Sequence, residues 1–127
     1  MISKQQKPVD SGFGAKSQPT EVMAGIDLSG KTAVVTGGYS GIGTETSRAL
    51  VDAGCDVYIP ARRTDVAAKE LEGIVPAKNI VEMDLANPRS VQSFVDAFSG
   101  QTSKLDILIN NAGVMACPEI RTQKGWE

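Results

Sequence analysis

The sequence predicts an α/β domain in which a parallel sheet lies between two layers of helices. Three observations carry this prediction. The composition is that of one globular domain, short β-branched runs alternate with helix-period segments from Lys31 onward, and a glycine-rich stretch joins the first run to the first helix. The chain has 127 residues, 41% of them hydrophobic and 22% charged, which is enough for one core and too few for two.

The first strand and the first helix are separated by glycines. Thr32–Thr36 reads TAVVT, which is typical of a short buried strand, and Gly37–Gly43 follows it directly. Gly54 predicts the end of the helix because glycine tolerates the left-handed conformation found there. The apolar residues expected on one side of this helix are Ile42, Ala49, Leu50 and Ala53.

A second strand, a weaker helix and a third strand come next. Asp56–Ala61 reads DVYIPA and predicts a strand, with Pro60 near its end because proline has no amide to donate. Thr64–Glu72 has a helical pattern, and Ile80–Met83 predicts the third strand.

The last predicted helix and strand have clear boundaries. Asn87 and Pro88 are suited to the N-cap and the first turn of a helix, and Leu105–Ile109 predicts the fourth strand. The apolar stripe of this helix, expected to pack on the sheet, is Val91, Phe94, Val95 and Phe98.

The chain divides into two regions by composition. Residues 1–24 are rich in Lys, Gln, Ser, Gly and Pro without a sustained period. We therefore expect residues 1–27 to be a flexible or surface-draped extension and residues 28–127 to form a nucleotide-binding domain.

Several classes of function are disfavoured by what the sequence lacks. A net charge of −2 with scattered Lys and Arg predicts no nucleic-acid partner. No apolar run approaches the roughly 18 residues of a membrane span and no signal-peptide stretch is present, so we expect a cytoplasmic protein. With no His and with Cys55 and Cys117 far apart, we expect no metal site, and Cys55 reads as a small core residue.

The glycine-rich stretch is suited to bind phosphate. Residues 36–43 read TGGYSGIG and lie where a strand turns sharply into a helix. Glycines there let the backbone approach a pyrophosphate, and the helix N-terminus offers free amides. The alternative interpretation is a tight turn with a purely structural role, which would have a similar sequence. A P-loop is disfavoured because it would need a Lys immediately before Thr44, and the residue there is Gly43. The candidate cofactor-binding residues here are Gly37, Tyr39, Ser40, Gly41, Ile42 and Gly43.

This loop and two further motifs resemble the short-chain dehydrogenase/reductase family. Its TGxxxGIG motif is matched at every fixed position, its acidic residue after the third strand matches Asp84, and its NNAG motif matches Asn110 to Gly113. The resemblance covers about residues 28–127, and the VMACP that follows NNAG is most similar to the retinol-dehydrogenase-like and WW-domain-oxidoreductase-like branch. It implies a Rossmann-type three-layer fold, of which this chain would hold strands 3-2-1-4 and lack the later strands.

The end of the second strand favours NADP over NAD. An acidic residue there would bind the ribose diol, whereas Arg attracts a 2′-phosphate, and the sequence reads Ala61-Arg62-Arg63. Arg62 and Arg63 are therefore candidate cofactor-binding residues. The alternative is a solvated pair of cations at a strand end.

The third and fourth strands add the remaining candidates. Asp84 is expected to accept a hydrogen bond from the adenine amino group, with Leu85 behind the ring. The alternative is that Asp84 caps the following turn, and the two roles are compatible. The resemblance implies that Asn110 braces the strands and that the next residues lie along the cofactor, with Gly113 allowing close approach. These residues are Asn111, Ala112 and Gly113.

The residues that would perform the reaction are not found in this sequence. The family's Tyr-x-x-x-Lys pair is not matched, because Tyr39 is followed four places later by Gly43 and Tyr58 by Arg62. We assign no catalytic residue. We expect this chain to be the NADP(H)-binding part of an oxidoreductase that acts on an alcohol or carbonyl substrate, and the complete enzyme could be a homo-oligomer. The chain alone is expected to be inactive and to associate through the unpaired edge of Leu105–Ile109. A non-catalytic NADP(H)-binding or regulatory module is the alternative, and a purely structural subunit is a third.

Overall fold

The computed structural model describes residues 10–122 and residue 125. Residues 1–9 of the predicted extension, and residues 123, 124, 126 and 127 of the predicted domain, lie outside the described residues. The elements are α1 (Pro19–Val22), β1 (Thr32–Val35), α2 (Ile42–Asp52), β2 (Asp56–Ala61), α3 (Thr64–Glu70), a 3-10 turn (Ala77–Asn79), β3 (Ile80–Glu82), α4 (Pro88–Gln101) and β4 (Ile107–Ile109).

The four strands form one parallel sheet in the order β3-β2-β1-β4. Val34 of β1 lies beside Tyr58 of β2 and Leu108 of β4. Because all strands run in the same direction, their carboxyl ends meet at one edge of the sheet. The order reverses between β1 and β4, which is where open α/β sheets bind ligands. The predicted Rossmann-type fold and its strand order are confirmed.

Alternate residues of the strands pack on two opposite helical layers. Ala33 and Val35 belong to a cluster that also holds Leu50 of α2 and Ala67 of α3. Val34 belongs to a second cluster, formed by Val34, Tyr58, Met83, Phe94 and Phe98, in which the Tyr58 and Phe98 rings meet edge to face at 5.0 Å. These two clusters make the three layers predicted from the sequence.

The helix boundaries follow the signals predicted for them. Asn87 caps α4 by accepting a hydrogen bond from the Arg89 amide at 3.1 Å, and Pro88 occupies the first position of the helix. Gly54, which follows α2, has φ +91°, a conformation that L side chains rarely adopt. The ends of these helices are therefore set by side chains and backbone conformations that the sequence displays.

Three expectations about packing are wrong. Val95 of the predicted stripe is exposed, whereas Phe94 and Phe98, one turn apart, are buried. Ile42 is exposed because it starts α2 at the edge of the sheet, so it does not pack with Leu50. Strand β4 starts at Ile107 rather than at Leu105, which is exposed.

The segment before β1 contacts the domain on the side of α2. Helix α1 lies against α2, and the Leu28 amide donates a hydrogen bond to the Ala53 carbonyl at 2.7 Å. Among residues 10–122, no helix has the length and apolar character needed to cross a membrane.

Candidate cofactor-binding site

The predicted site residues converge on the carboxyl edge of the sheet. The glycine loop follows β1, Arg62 and Arg63 follow β2, Asp84 and Leu85 come just after β3, and residues 111–113 come just after β4. Since β2, β1 and β4 are neighbours in the sheet, their loops are adjacent. We define this group of loops as the carboxyl-edge site.

The glycine loop has a shape that larger residues would disrupt. Gly37 has φ +63° and Gly41 has φ +53°. A Cβ on Gly43 would lie 2.1 Å from the Gly37 carbonyl oxygen, so the start of α2 rests directly on the loop backbone. The loop thus needs glycine for conformation at two positions and for close packing at a third.

Several backbone amides of this loop are left open. Within residues 10–122, the amides of Tyr39, Ser40, Gly41 and Ile42 have no hydrogen-bond acceptor. They lie at the N-terminus of α2, where the helix dipole favours an anion. The Ile42 side chain is 81% exposed beside them. This arrangement is suited to a phosphate group.

Asn111 holds the glycine loop to β4. Its Nδ2 atom donates to the Thr36 carbonyl at 3.0 Å and to the Gly37 carbonyl at 3.2 Å. The expectation that Asn110 braces the strands is therefore wrong, because Asn110 is exposed and the adjacent Asn111 makes these bonds. Asn111 shapes the site through the loop backbone.

Thr36 completes this junction and was missed as a site residue. Its Oγ1 atom accepts a hydrogen bond from the Ala112 amide at 3.0 Å, and its own amide donates to the Ile109 carbonyl at 3.0 Å. The signal available in the sequence was a hydroxyl residue at the end of a strand, immediately before the glycines.

Ser47 is a second residue that the sequence did not single out. It is completely buried on α2, and its hydroxyl donates to the Gly38 carbonyl at 2.8 Å. Its signal was a polar residue on the buried side of an amphipathic helix, one turn after Gly43.

Arg62 and Arg63 are exposed at the end of β2. Neither guanidinium has an ion-pair or hydrogen-bond partner among residues 10–122. The residue just before them is Ala61, which is buried and has no carboxylate. No acidic side chain therefore stands at the ribose position of β2. Two unpaired cations therefore lie beside the glycine loop.

Asp84 makes the turn contact that was one of its two predicted roles. Its Oδ1 atom accepts a hydrogen bond from the Ala86 amide at 2.9 Å, while its own amide donates to the Ser90 hydroxyl at 2.9 Å. Leu85 is exposed beside it. The contact of these two residues with an adenine ring stays a prediction.

A known family matches this fold and this loop. The family model described as short chain dehydrogenase matches residues 31–127, which include every strand of the sheet. The chain belongs to the short-chain dehydrogenase family. The membership predicted from TGxxxGIG and NNAG is thus confirmed.

Named relatives of this short-chain dehydrogenase come from plants and animals. Short-chain dehydrogenase TIC 32 B, chloroplastic, of Brassica napus is 42% identical over 122 residues, covering 92% of this chain and 38% of the relative. Retinol dehydrogenase 12 of Homo sapiens is 40% identical, covering 80% of this chain and 34% of the relative. WW domain-containing oxidoreductase of Drosophila melanogaster is 38% identical, covering 91% and 30%. The chain thus spans between 30% and 38% of the length of these relatives.

Solved structures of similar fold include complexes with either nicotinamide cofactor. The Pseudomonas aeruginosa RhlG/NADP active-site complex has a TM-score of 0.63 and 33% identity, covering 70% of this chain and 37% of that one. The 3-ketoacyl-(acyl-carrier-protein) reductase from Brucella melitensis complexed with NADH has a TM-score of 0.65 and 32% identity, covering 73% and 38%. The likeness therefore supports a nicotinamide cofactor and does not choose between NADP and NAD.

Both tyrosines of this short-chain dehydrogenase chain pack against the apolar clusters of the fold. Tyr58 is buried against Phe98, and burial raises the pKa of Tyr58 above its ordinary value of 10, with a further contribution from Asp56. Tyr39 is half-buried against the cluster that holds Val35. The described residues therefore place neither tyrosine in the family's Tyr-x-x-x-Lys arrangement.

Proposed function

We propose that this chain is the NADP(H)-binding part of an oxidoreductase that transfers hydride between the nicotinamide and an alcohol or carbonyl substrate. The observation that carries the proposal is that two features occur on adjacent elements. Four backbone amides without acceptors lie at the start of α2, and Arg62, which has no partner among the described residues, lies at the end of β2 beside β1. One group is suited to a pyrophosphate and the other to a 2′-phosphate.

The residues present fit this cofactor. The amides of the glycine loop would hold the pyrophosphate, and Arg62 would hold the 2′-phosphate, with Arg63 adding positive charge. Asp84 has one carboxylate oxygen engaged by Ala86, which leaves the other for an adenine amino group. Leu85 presents an exposed apolar surface on which the ring would lie. Residues 111–113 would follow the cofactor toward the crevice between β1 and β4.

The division of labour follows from the same residues. When bound, the nicotinamide supplies or accepts the hydride. This chain's own residues bind and orient the dinucleotide, and none of them is assigned to move the substrate's proton. A cytoplasmic location and a homo-oligomer remain predictions beside this proposal.

The test compares the two cofactors on the complete protein that contains this chain. We expect NADPH, followed by its own fluorescence, to bind at least about tenfold more tightly than NADH, because a charge-assisted bidentate contact contributes about 1.5–3 kcal/mol. Arg62→Gln should weaken NADPH binding by a similar factor and leave NADH within about twofold.

A matched control changes the net charge by the same amount as Arg62→Gln. Arg48→Gln removes an exposed guanidinium from α2, on the helix that carries the site, where Arg48 pairs with Glu45 at 4.0 Å. This variant should bind both cofactors like the wild type. Equal affinity for NADH and NADPH, or no effect of Arg62→Gln, would contradict the NADP assignment. Tight NADPH binding without turnover on any alcohol or carbonyl would favour a regulatory module instead.

A further inference from the structure

Ser47 and its neighbour Thr46 use their hydroxyls in different ways. Thr46 donates to the Ile42 carbonyl of its own helix at 3.0 Å. The Ser47 hydroxyl instead donates to an acceptor outside the helix, the Gly38 carbonyl of the glycine loop, at 2.8 Å. Ser47 is completely buried, so this bond is shielded from water. The hydroxyl of Ser47 therefore ties α2 to the loop before it.

The Gly38 peptide is closely packed around this bond. A Cβ on Gly38 would lie 2.6 Å from Ile59 Cδ1, 2.7 Å from Ser47 Oγ and 3.0 Å from the Val35 carbonyl oxygen. The Gly38 carbonyl is thus directed at a buried hydroxyl on the inner side of α2. A buried carbonyl without a partner would cost about 1–3 kcal/mol, so the hydroxyl holds the peptide in this orientation.

The orientation of this carbonyl fixes the amide that follows it. In a planar trans peptide the C=O and the next N–H point in opposite directions. With the Gly38 carbonyl held toward Ser47, the Tyr39 amide points away from Ser47, and it has no acceptor among residues 10–122. Asn111 has the same effect on the preceding Gly37–Gly38 peptide, because its Nδ2 atom donates to the Gly37 carbonyl at 3.2 Å. Two successive carbonyls, whose negative ends would repel a phosphate, are thereby engaged by the protein.

We infer that Ser47 is a positioning residue for the dinucleotide pyrophosphate, which it serves by orienting the Gly38–Tyr39 peptide without contacting the cofactor. This inference rests on the proposed function, since it assigns the glycine loop to the pyrophosphate. It predicts that loss of the Ser47 hydroxyl weakens the binding of ligands that carry a pyrophosphate and leaves unchanged the binding of ligands that contact Arg62 but have no pyrophosphate.

The experiment uses two ligands on the complete protein. Ser47→Ala should weaken NADPH binding about tenfold and leave adenosine 2′-monophosphate, followed by NMR titration, within about twofold. Arg62→Gln should weaken both ligands. Ser47→Cys keeps a side-chain donor, although a weaker one on a larger atom, and should give an intermediate loss of NADPH affinity. This variant also carries the test if the alanine variant does not fold. Thr46→Ala, which removes a hydroxyl that bonds within the helix, is the matched control.

A second readout does not depend on the cofactor. In Ser47→Ala, the backbone amide resonance of Tyr39 should shift, while amides in α4 should not. An unchanged Tyr39 resonance, unchanged NADPH affinity, or an equal loss of both ligands would overturn the positioning role. Failure of the wild type to bind NADPH would overturn the proposed function instead, so the two failures are distinguishable.

Discussion

At the scale of single residues, Asn111 is the side chain that joins β4 to the glycine loop. Its amide group donates to two carbonyls, those of Thr36 and Gly37. Asn111→Ala would leave both acceptors without this partner. We expect it to lower the free energy of unfolding by about 1–3 kcal/mol, measured by urea denaturation, and to weaken NADPH binding as well.

The adjacent asparagine provides the control for this prediction. Asn110 is exposed and has no hydrogen bond within the described part of the chain, so Asn110→Ala should change the free energy of unfolding by less than about 0.5 kcal/mol. Equal destabilisation by the two alanine variants would refute the bracing role of Asn111.

The sequence indicated the residue types of this site but not all of their partners. Asn110 and Asn111 have the same chemistry, and only the register of β4 on β1 decides which of them faces the glycine loop. Ser47 was missed for a similar reason, because a serine in a helix ordinarily bonds within the helix, as Thr46 does. Glycine positions such as Gly43 were predictable because their requirement is local.

At the scale of elements, the pairing of β1 with β4 is held at both ends. Thr36 and Asn111 join the carboxyl ends of the two strands. At the other end, the Asp106 carboxylate accepts a hydrogen bond from the Thr32 amide at 2.8 Å and from Lys31 Nζ at 3.1 Å. These contacts compensate for the shortness of β4, which the sequence did not show because Leu105 extends the apolar pattern of the segment LDILI.

The Asp106 contacts predict a pH dependence of stability. The hydrogen bond from the Thr32 amide, and then that from Lys31, lower the pKa of Asp106 from its ordinary value of 3.8. Because the native state then binds fewer protons than the unfolded state, this contribution is present above about pH 4 and is lost as the pH falls through the native pKa. The free energy of unfolding should therefore drop as the pH is lowered below about 4.

The variant Asp106→Asn isolates this contribution. It should be less stable than the wild type at pH 6, and this difference in stability should shrink as the pH is lowered below about 4. Asp27, whose pKa is lowered by Ser29, adds its own acid dependence in both proteins, so the measured quantity is the difference between them. A difference that stays constant from pH 6 to pH 2.5 would count against the role of Asp106.

At the scale of the whole molecule, the fold class was predictable because several independent signals agree. Strand β2 has the predicted bounds, Asp56–Ala61, since buried parallel strands are continuous apolar runs. The order of the strands was predictable only through the family resemblance, because alternation of strands and helices alone allows more than one order. The exposure of Val95 was not predictable, since its spacing in α4 fits the stripe equally well.

The edge of this sheet predicts how a polypeptide of these 127 residues behaves. Within residues 10–122, β4 pairs with β1 alone, and Leu108 is 55% exposed on it. Val114 and Met115, which follow, are 84% and 94% exposed. An apolar strand with unpaired backbone groups is a template for association, and a lysine on such a strand opposes it. We expect this polypeptide to form oligomers or aggregates at micromolar concentration, and Leu108→Lys to raise the monomer fraction in analytical ultracentrifugation.

A second substitution separates the edge strand from apolar exposure in general. Val95 is also exposed, but it lies on α4, away from any strand edge. Val95→Lys changes the charge by the same amount and should leave the association unchanged. If both lysine variants became monomeric to the same extent, repulsion between charged molecules would explain the effect, and the edge of β4 would not be the associating surface.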